Sequence, residues 1–466
     1  MSSLNPAEDL VIRKVIRRLI PFLILCFLMN FLDRNNVAIA QLNLKERVPG
    51  FNDTVFSWGL AIFYIPYCLF ELPSNLIQMR VGARRWIARI MISWGITSAC
   101  FIFIAGPHSF YWLRGILGLF EAGFFPGVML FLALWIPHAH RARAKALFFL
   151  SAAFAGVISN ILGALILYYA GRYDLGLAPW QWLFLIEGVP SIILGVVVLF
   201  YLTDKPEDAH WLASDERERL IAIIKREKEA NPGHGASDFM DAFRSPHTWI
   251  LATIYSAMNW AFNPVQFYTQ NTLKEGLAAA GTIHPAPAGM SAAVAATNPA
   301  YTPAYLSEFY VGMLSAIPFG VAAVAMLAIA KQSDRHQSRK PYIMFCCALM
   351  ALGLSLAGAA QWLPGTWKTT AILVGLSLAA IGWFGSFATF WAIPAQIMTG
   401  AAVAAAMAIM NAIGNLMGNF VANYVKPYLL INGHDYALFV GAGVALIGVA
   451  ATAMLRMPKA KEATAH

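Results

Sequence analysis

Apolar runs of about 20 residues recur along this chain between short polar connections. That length matches a helix crossing a hydrocarbon core about 30 Å thick. The pattern predicts twelve spans, at 19–40, 55–79, 85–106, 110–136, 143–170, 180–203, 248–272, 306–331, 341–361, 369–394, 400–426 and 435–456. Two connections are longer than the rest. Residues 204–247 are rich in charge, and SDERERLIAIIKREKEA within them has the period of an amphipathic helix. Ser214 is the expected N-cap, with Asp215 and Glu216 in the first turn and Lys225, Arg226 and Lys228 near the end, where the helix dipole favours cations. Its apolar face (Leu220, Ile223, Ile224) belongs either on the membrane surface or on the bundle. Residues 274–305 are small, interrupted by proline and too broken to span; they read as a flexible external lid or as an inert insertion.

The expected fold is therefore an all-α membrane protein of two six-helix halves. Residues 1–203 form the N-terminal bundle and 204–247 a cytoplasmic linker. Residues 248–466 form the C-terminal bundle, with an external loop at 274–305. The first run follows a basic stretch (Arg13, Lys14, Arg17, Arg18), is too long for a signal-peptide core and lacks a small-residue cleavage site. It is expected to stay as the first span.

Composition sharpens this. Of 466 residues, 59% are hydrophobic and only 12% charged, against about a quarter charged in soluble domains. A net charge of +9 would suit nucleic acid or anionic lipid, but the charges are not spread evenly. With the N-terminus inside, about 24 of the 33 Lys and Arg residues fall in cytoplasmic segments. That asymmetry predicts both termini in the cytoplasm and explains the basic balance without nucleic acid. Cys26, Cys68, Cys100, Cys346 and Cys347 all lie in apolar runs without metal-ligand spacing, and are expected as packing residues. Motifs of the form GxxxxGK[ST], HExxH and GxSxG are missing from the sequence, so neither an ATP-driven motor nor an enzyme is expected. His138 and His140 read as solvated, and no metal or organic cofactor is implied.

The chemistry is in the charges that interrupt the apolar runs. A charge in mid-membrane costs roughly 3 kcal/mol or more, so each is a functional candidate. Asp33 and Arg34 lie side by side in span 1, about 100° apart on a helix. Arg114 and Glu121 are seven apart in span 4 and share a face. Glu71 in span 2 and Glu187 in span 6 fit helix-end hydrogen bonding as well as proton transfer. Two amide stripes add to these: Asn259, Asn263, Gln266 and Gln270 in span 7, and Asn411, Asn415, Asn419 and Asn423 in span 11. Each stripe follows one helix face, which must meet water, ligand or another helix. Gly123 with Gly127 and Gly414 with Gly418 are GxxxG pairs suited to close packing. Tyr64, Tyr67, Tyr268, Trp383 and Trp391 are aromatic candidates for lining a cavity.

These features together resemble the anion:cation symporter family of the major facilitator superfamily, the group of bacterial phthalate, tartrate and sugar-acid permeases. The resemblance rests on NFLDRNN, ELPSNLIQMRVGARRWIARI, LRGILGLFEAGFFPGVMLFLALWIP, WQWLFLIEG, DKPEDAHWLASDERERL and MNAIGNLMGN, and covers nearly the whole chain. It implies a monomeric, multi-pass inner-membrane symporter that imports an organic anion with protons by alternating access. Asp33 and Glu121 match its proton carriers, and Arg34 the arginine that binds the substrate carboxylate. Arg114, Gln266, Asn411 and Asn415 match further substrate contacts, with Tyr64, Tyr67 and Trp391 as aromatic neighbours. Arg80, Arg84 and Arg85, and Asp334, Arg335 and Arg339, match the two gating loops. Met79 stands where the superfamily loop motif has an acid. Phe31 stands where some sugar-acid members have tyrosine, which favours an aromatic acid or a dicarboxylate such as a phthalate-like anion over sugar acids or tartrate. The rival readings are an exporter, disfavoured because span 5 lacks a Gly-Pro pair, and a receptor that has lost transport.

Overall fold

In the computed structural model the described residues are 6–173, 175–230, 240, 242–284, 298, 300–336, 338–398, 402–431 and 434–457. The long elements are all helical: α1 (Pro6–Arg47), α2 (Asp53–Val81), α3 (Ala83–Cys100), α4 (Pro107–Glu121), α5 (Phe124–Trp135), α6 (His138–Arg172), α7 (Pro179–Tyr201) and α8 (Ser214–Ala230). They continue with α9 (Pro246–Phe267), α10 (Thr269–Ala279), α11 (Ala304–Arg335), α12 (Lys340–Ala359), α13 (Gly365–Phe390), α14 (Ala402–Asn415) and α15 (Ala437–Met454). Among the described residues, 11 helical stretches are long and apolar enough to cross a membrane. The expected seventh span forms the 22-residue helix α9 but falls short on hydropathy. It carries no charge, so the amides at Asn259 and Asn263 and its other polar residues are what lower it.

The chain divides into two compact units, residues 1–232 with 282–316 and residues 233–281 with 317–466. In the first unit, α3 and α7 approach backbone to backbone. A Cβ on Gly95 would lie 3.0 Å from the Gly188 carbonyl oxygen, and one on Gly188 would lie 3.0 Å from the Ala99 nitrogen. Such proximity lets polar side chains on α7 reach α1. The first turns of α11 also belong here. Glu308 accepts from Asn43 Nδ2 at 2.8 Å, and the rings of Tyr305 and Phe309 pack on Tyr168 at 5.5 and 5.3 Å.

Helix α8 settles the open question of its apolar face: Leu220 and Ile223 are buried on the bundle. Lys14 Nζ bonds Glu216 at 2.6 Å and Arg226 bonds Glu8 at 3.0 Å, so α8 is fastened to α1. The Lys14 ammonium beside Glu216 holds that carboxyl below the ordinary carboxylate range. The bond's contribution is therefore present at neutral pH and is lost as the pH falls through that lowered value. Ser214 opens the helix as its first residue and does not cap it. Glu216 reaches back instead and accepts from the Ala213 backbone N–H at 3.1 Å. His140 is likewise not simply solvated, since its Nε2 lies 2.9 Å from Asp9 Oδ1.

Span 4 is not one helix. It breaks after Glu121, where Gly123 takes φ +88° and α5 begins. A Cβ at Gly123 would lie 2.2 Å from Ser74 Oγ, and one at Gly127 would lie 2.2 Å from Gln78 Oε1. These two glycines thus admit polar side chains of α2. Ser74 Oγ donates to the Ala122 carbonyl at 2.8 Å, and Gln78 Nε2 to the Gly127 carbonyl at 2.8 Å. Carbonyls in and beside the break thereby regain partners inside the membrane. Gly123→Ala is expected to cost about 1–2 kcal/mol from the left-handed backbone alone, plus the overlap with Ser74. A thermal melt of the purified variant no lower than the parent's would contradict this geometry.

In the second unit, α9 packs against α14 and the π-helical turn that follows it, Leu416–Val421. Gly414 and Gly418 make the approach possible, since a Cβ at either would meet Tyr255 or Asn259 at 2.1 and 2.5 Å. Helix α10 runs to Ala279, so the start of the expected 274–305 loop is helical. Residues 285–297 and 299 of that loop lie outside the described residues.

Candidate functional site

The first unit gathers the intramembrane charges into two adjoining clusters. Asp33, 1% exposed, is clamped by two hydroxyls: Ser98 on α3 donates to Oδ1 at 2.7 Å, and Ser191 on α7 donates to Oδ2 at 2.6 Å. Asn36, one turn along α1, donates to Ser98 Oγ at 3.3 Å. Arg34 turns the other way, as adjacency on a helix requires, and its Nη2 pairs with Glu121 Oε1. The same oxygen accepts from Asn30 Nδ2 at 2.9 Å, while Glu121 Oε2 is buried without a hydrogen-bond partner among the described residues. Glu121 is sealed, but the Arg34 side chain remains 21% exposed. The guanidinium lies over the rings of Phe63 and Tyr67, with centroids at 5.6 and 5.3 Å, and Tyr64 packs beside both.

Arg114 is buried on α4, two turns before Glu121, over the face of Phe63 at 4.6 Å. Its Nε donates to the Gly59 carbonyl at 3.2 Å, while Nη1 and Nη2 have no partner among the described residues. Two buried donors aimed at nothing are costly unless something arrives to accept from them. The cluster therefore holds one guanidinium paired with a carboxylate and another with two nitrogens that meet no partner among the described residues. It also holds the buried carboxyls of Asp33 and Glu121. Glu71 and Glu187 are buried as well.

In the second unit the two amide stripes meet. Asn263 Nδ2 donates to Asn419 Oδ1 at 3.4 Å, and Asn419 Nδ2 to Asn415 Oδ1 at 3.1 Å. Tyr268 donates to Asn423 Oδ1 at 2.9 Å. Trp383 Nε1 donates to Asn259 Oδ1 at 3.4 Å and stacks on Phe262 at 4.2 Å. Interhelical bonding thus accounts for much of both stripes. Asn411 is buried and Gln266 half-buried on the same helices. Trp391 caps the end of α13, packs edge-on to Tyr255 at 5.1 Å, and has an indole nitrogen without a partner among the described residues.

Of the gating candidates, Arg84 has a partner that its own loop does not supply. Asp204, just after α7, accepts from the Arg84 backbone N–H at 2.8 Å and lies 3.7 Å from its Nε. This acid lies 120 positions away in the chain. Arg80, Arg85 and Arg335 are exposed and Arg339 is half-buried. The side chain of Asp334 lies outside the described residues.

Sequence reasoning passed over Ser98, Ser191, Asn30, the Asn43–Glu308 bond and the break in span 4. A lone hydroxyl in an apolar run has no periodic signature. Glu308 stood at the edge of span 8, where an acid attracts no notice.

The family model described as Major Facilitator Superfamily matches residues 23–297. Two proteins of Agrobacterium vitis, each named "Putative tartrate transporter", are 37% and 36% identical. The first match covers 85% of this chain and 83% of the relative, the second 86% and 81%. A protein of Acinetobacter baumannii named "Quinolone resistance transporter" is 31% identical over 85% of this chain and 83% of its own. Among solved structures, the partially occluded inward-open xylose transporter XylE of E. coli superposes with a TM-score of 0.69. That match covers 96% of this chain and 99% of that one at 13% identity, a likeness of fold.

Proposed function

Because this chain belongs to the Major Facilitator Superfamily, we propose that it is a proton-coupled symporter importing a small organic carboxylate by alternating access. The observation that carries the reading is the Arg34–Glu121 pair, with the open guanidinium of Arg114 on the same helix as Glu121. Glu121 and a substrate carboxylate compete for Arg34. A proton on Glu121 weakens the internal pair and releases Arg34 to the anion. Burying the anion in turn favours the protonated acid. Proton and substrate thus load together, and a nearly neutral site can pass through the membrane.

Two arginines suit two carboxylates, so a dicarboxylate is the preferred substrate class, and the name of the Agrobacterium relatives supports it. Asp33 is a second proton carrier. By the family resemblance, Gln266, Asn411 and Asn415 are further candidate polar contacts, and Trp391 a candidate aromatic one. The distribution of Lys and Arg supports cytoplasmic termini, and the bacterial relatives support an inner-membrane location.

The test is uptake of radiolabelled tartrate and phthalate into proteoliposomes, with and without an inward proton gradient. A thermal-shift panel of carboxylates run beforehand reveals binding as a rise in apparent stability. Uptake that accumulates only with the gradient is the expected result, and uptake indifferent to it ends the symport reading. A second reading, export of an amphipathic drug, draws on the relative named for quinolone resistance. It predicts gradient-driven movement of norfloxacin out of the inward-facing lumen and no carboxylate-induced thermal shift.

A further inference from the structure

A groove of about 730 Å³ lies in the second unit, between the end of α11 and the start of α12. That volume falls in the range of about 300–1,000 Å³ that takes small organic ligands. The lining is mainly apolar: Ala328 and Ile329 with Gln332 and His336 on α11, and Tyr342 with Phe345 on α12. The α11 residues fall at i, i+1, i+4 and i+8, and the two from α12 are three apart, so each set follows one helix face. The Tyr342 hydroxyl lies 2.8 Å from His336 Nδ1 and joins the two helices at the polar end of the groove.

The two ends of the groove differ in chemistry. Toward the middle of the spans, Val324 and Leu327 on α11 and Phe345 and Leu352 on α12 are exposed. Apolar exposure on membrane-spanning helices is surface for acyl chains. At the other end the chain runs through KQSDRHQSRK, residues 331–340, with four basic residues and one acid, Asp334. Lys331 is three residues beyond Ala328 and Arg335 three beyond Gln332, so both flank the lining face of α11. Both are exposed, and Arg339, just before α12, is half-buried. Lys340 is already engaged, since its Nζ donates to the carbonyls of Ala453 and Leu455 at 2.6 and 2.9 Å. An occupant that suits both ends is apolar along its length and anionic at its head. A soluble anion would leave the apolar floor in water, and a zwitterionic lipid would bring an ammonium to the same cations.

We propose that the groove between α11 and α12 binds an anionic phospholipid of the surrounding bilayer. The acyl chain lies along Ile329 and Phe345, and the phosphate meets Lys331, Arg335 and Arg339. The site uses no residue of the Arg34 cluster and does not depend on which substrate is carried.

The experiment uses the full-length protein in phosphatidylcholine vesicles. These carry a trace of either phosphatidylglycerol or phosphatidylcholine with a photoactivatable diazirine on the acyl chain. After illumination, labelled peptides are identified by mass spectrometry. A second groove, of about 490 Å³ beside the exposed Trp112 between α2 and α4, has no lysine or arginine in its lining and serves as the internal reference for folded, membrane-embedded protein. The phosphatidylglycerol probe is expected to label residues 328–345 more heavily than the phosphatidylcholine probe, by roughly fivefold for each cation engaged. The two probes are expected to label the Trp112 groove alike. The double variant Lys331→Gln, Arg335→Gln should bring the two probes toward equality at 328–345. Ala328→Trp, which fills the groove and keeps every charge, should lower labelling there by both. Equal labelling of 328–345 by the two probes overturns the proposal. So does a preference that survives the double variant, or one of the same size at the Trp112 groove.

Discussion

Arg34→Ala is expected to abolish carboxylate binding, weakening it by at least about a hundredfold, since truncating one partner of a buried charge pair costs several kcal/mol. The single variant has a second consequence. It leaves Glu121 sealed in the protein with Asn30 as its partner, at 2.9 Å, and one oxygen unmatched among the described residues. Breaking a buried pair in this way costs about 3–5 kcal/mol of stability, so lost binding could reflect a damaged fold. The double variant Arg34→Ala, Glu121→Gln separates the two effects. Removing both charges should return the thermal midpoint toward that of the parent, yet binding should stay lost because the anion's partner is gone. Glu121→Gln alone leaves Arg34 permanently released. It should bind the carboxylate, equilibrate it across the membrane and fail to accumulate it against a gradient. Parental affinity in the double variant would remove Arg34 from the binding site, and concentrative uptake by Glu121→Gln would remove Glu121 from coupling.

Arg114→Met should separate stability from function in the opposite direction. Among the described residues, Arg114 is a buried cation with one hydrogen bond, to the Gly59 carbonyl, and two nitrogens without a partner. A flexible apolar side chain of similar reach fills the space over Phe63 without that desolvation. Replacing buried charge by well-packed apolar groups is often neutral or stabilising by about 1–4 kcal/mol. The melting temperature should therefore hold or rise. Affinity should fall by about 10- to 150-fold, the loss of a charge-assisted hydrogen bond worth about 1.5–3 kcal/mol. A binding isotherm and a melt on the same preparation check both halves. A variant that is less stable yet binds normally would make Arg114 a structural residue.

The elements of the site that could be read in advance are those with an energetic signature in one dimension. A charge within an apolar run is improbable enough to notice; Asp33, Arg114, Glu121 and Glu187 prove buried and Arg34 half-buried. The four-residue spacing of Asn415, Asn419 and Asn423 forecast a shared face, and the Asn263–Asn419 bond shows where that face turns. Contacts between distant segments were not readable. Asp204 answers Arg84 across 120 positions, and Ser191 answers Asp33 across 158. The break in span 4 was hidden because EAGFFPG is as apolar as an unbroken helix would be. Its glycines read equally well as a packing motif, and only the left-handed backbone at Gly123 decides between the two. The N-cap of α8 was misplaced by one residue, because Ser214 is the better intrinsic cap but Glu216 reaches back to Ala213.

The mended break in span 4 also bears on how a mutational map of this protein should be interpreted. Ser74 and Gln78 have their hydroxyl and amide directed at the Ala122 and Gly127 carbonyls. Substitutions at either should score as severely in a growth selection as substitutions at Arg34. Ranked by intolerance alone, the two would be taken for ligand contacts. Measured expression would sort them differently, lowering the yield of folded protein at Ser74 and Gln78 and sparing it for the Arg34→Ala, Glu121→Gln double variant. Pairing fitness with abundance is thus what would distinguish the residues that hold the span 4 joint together from those that use it.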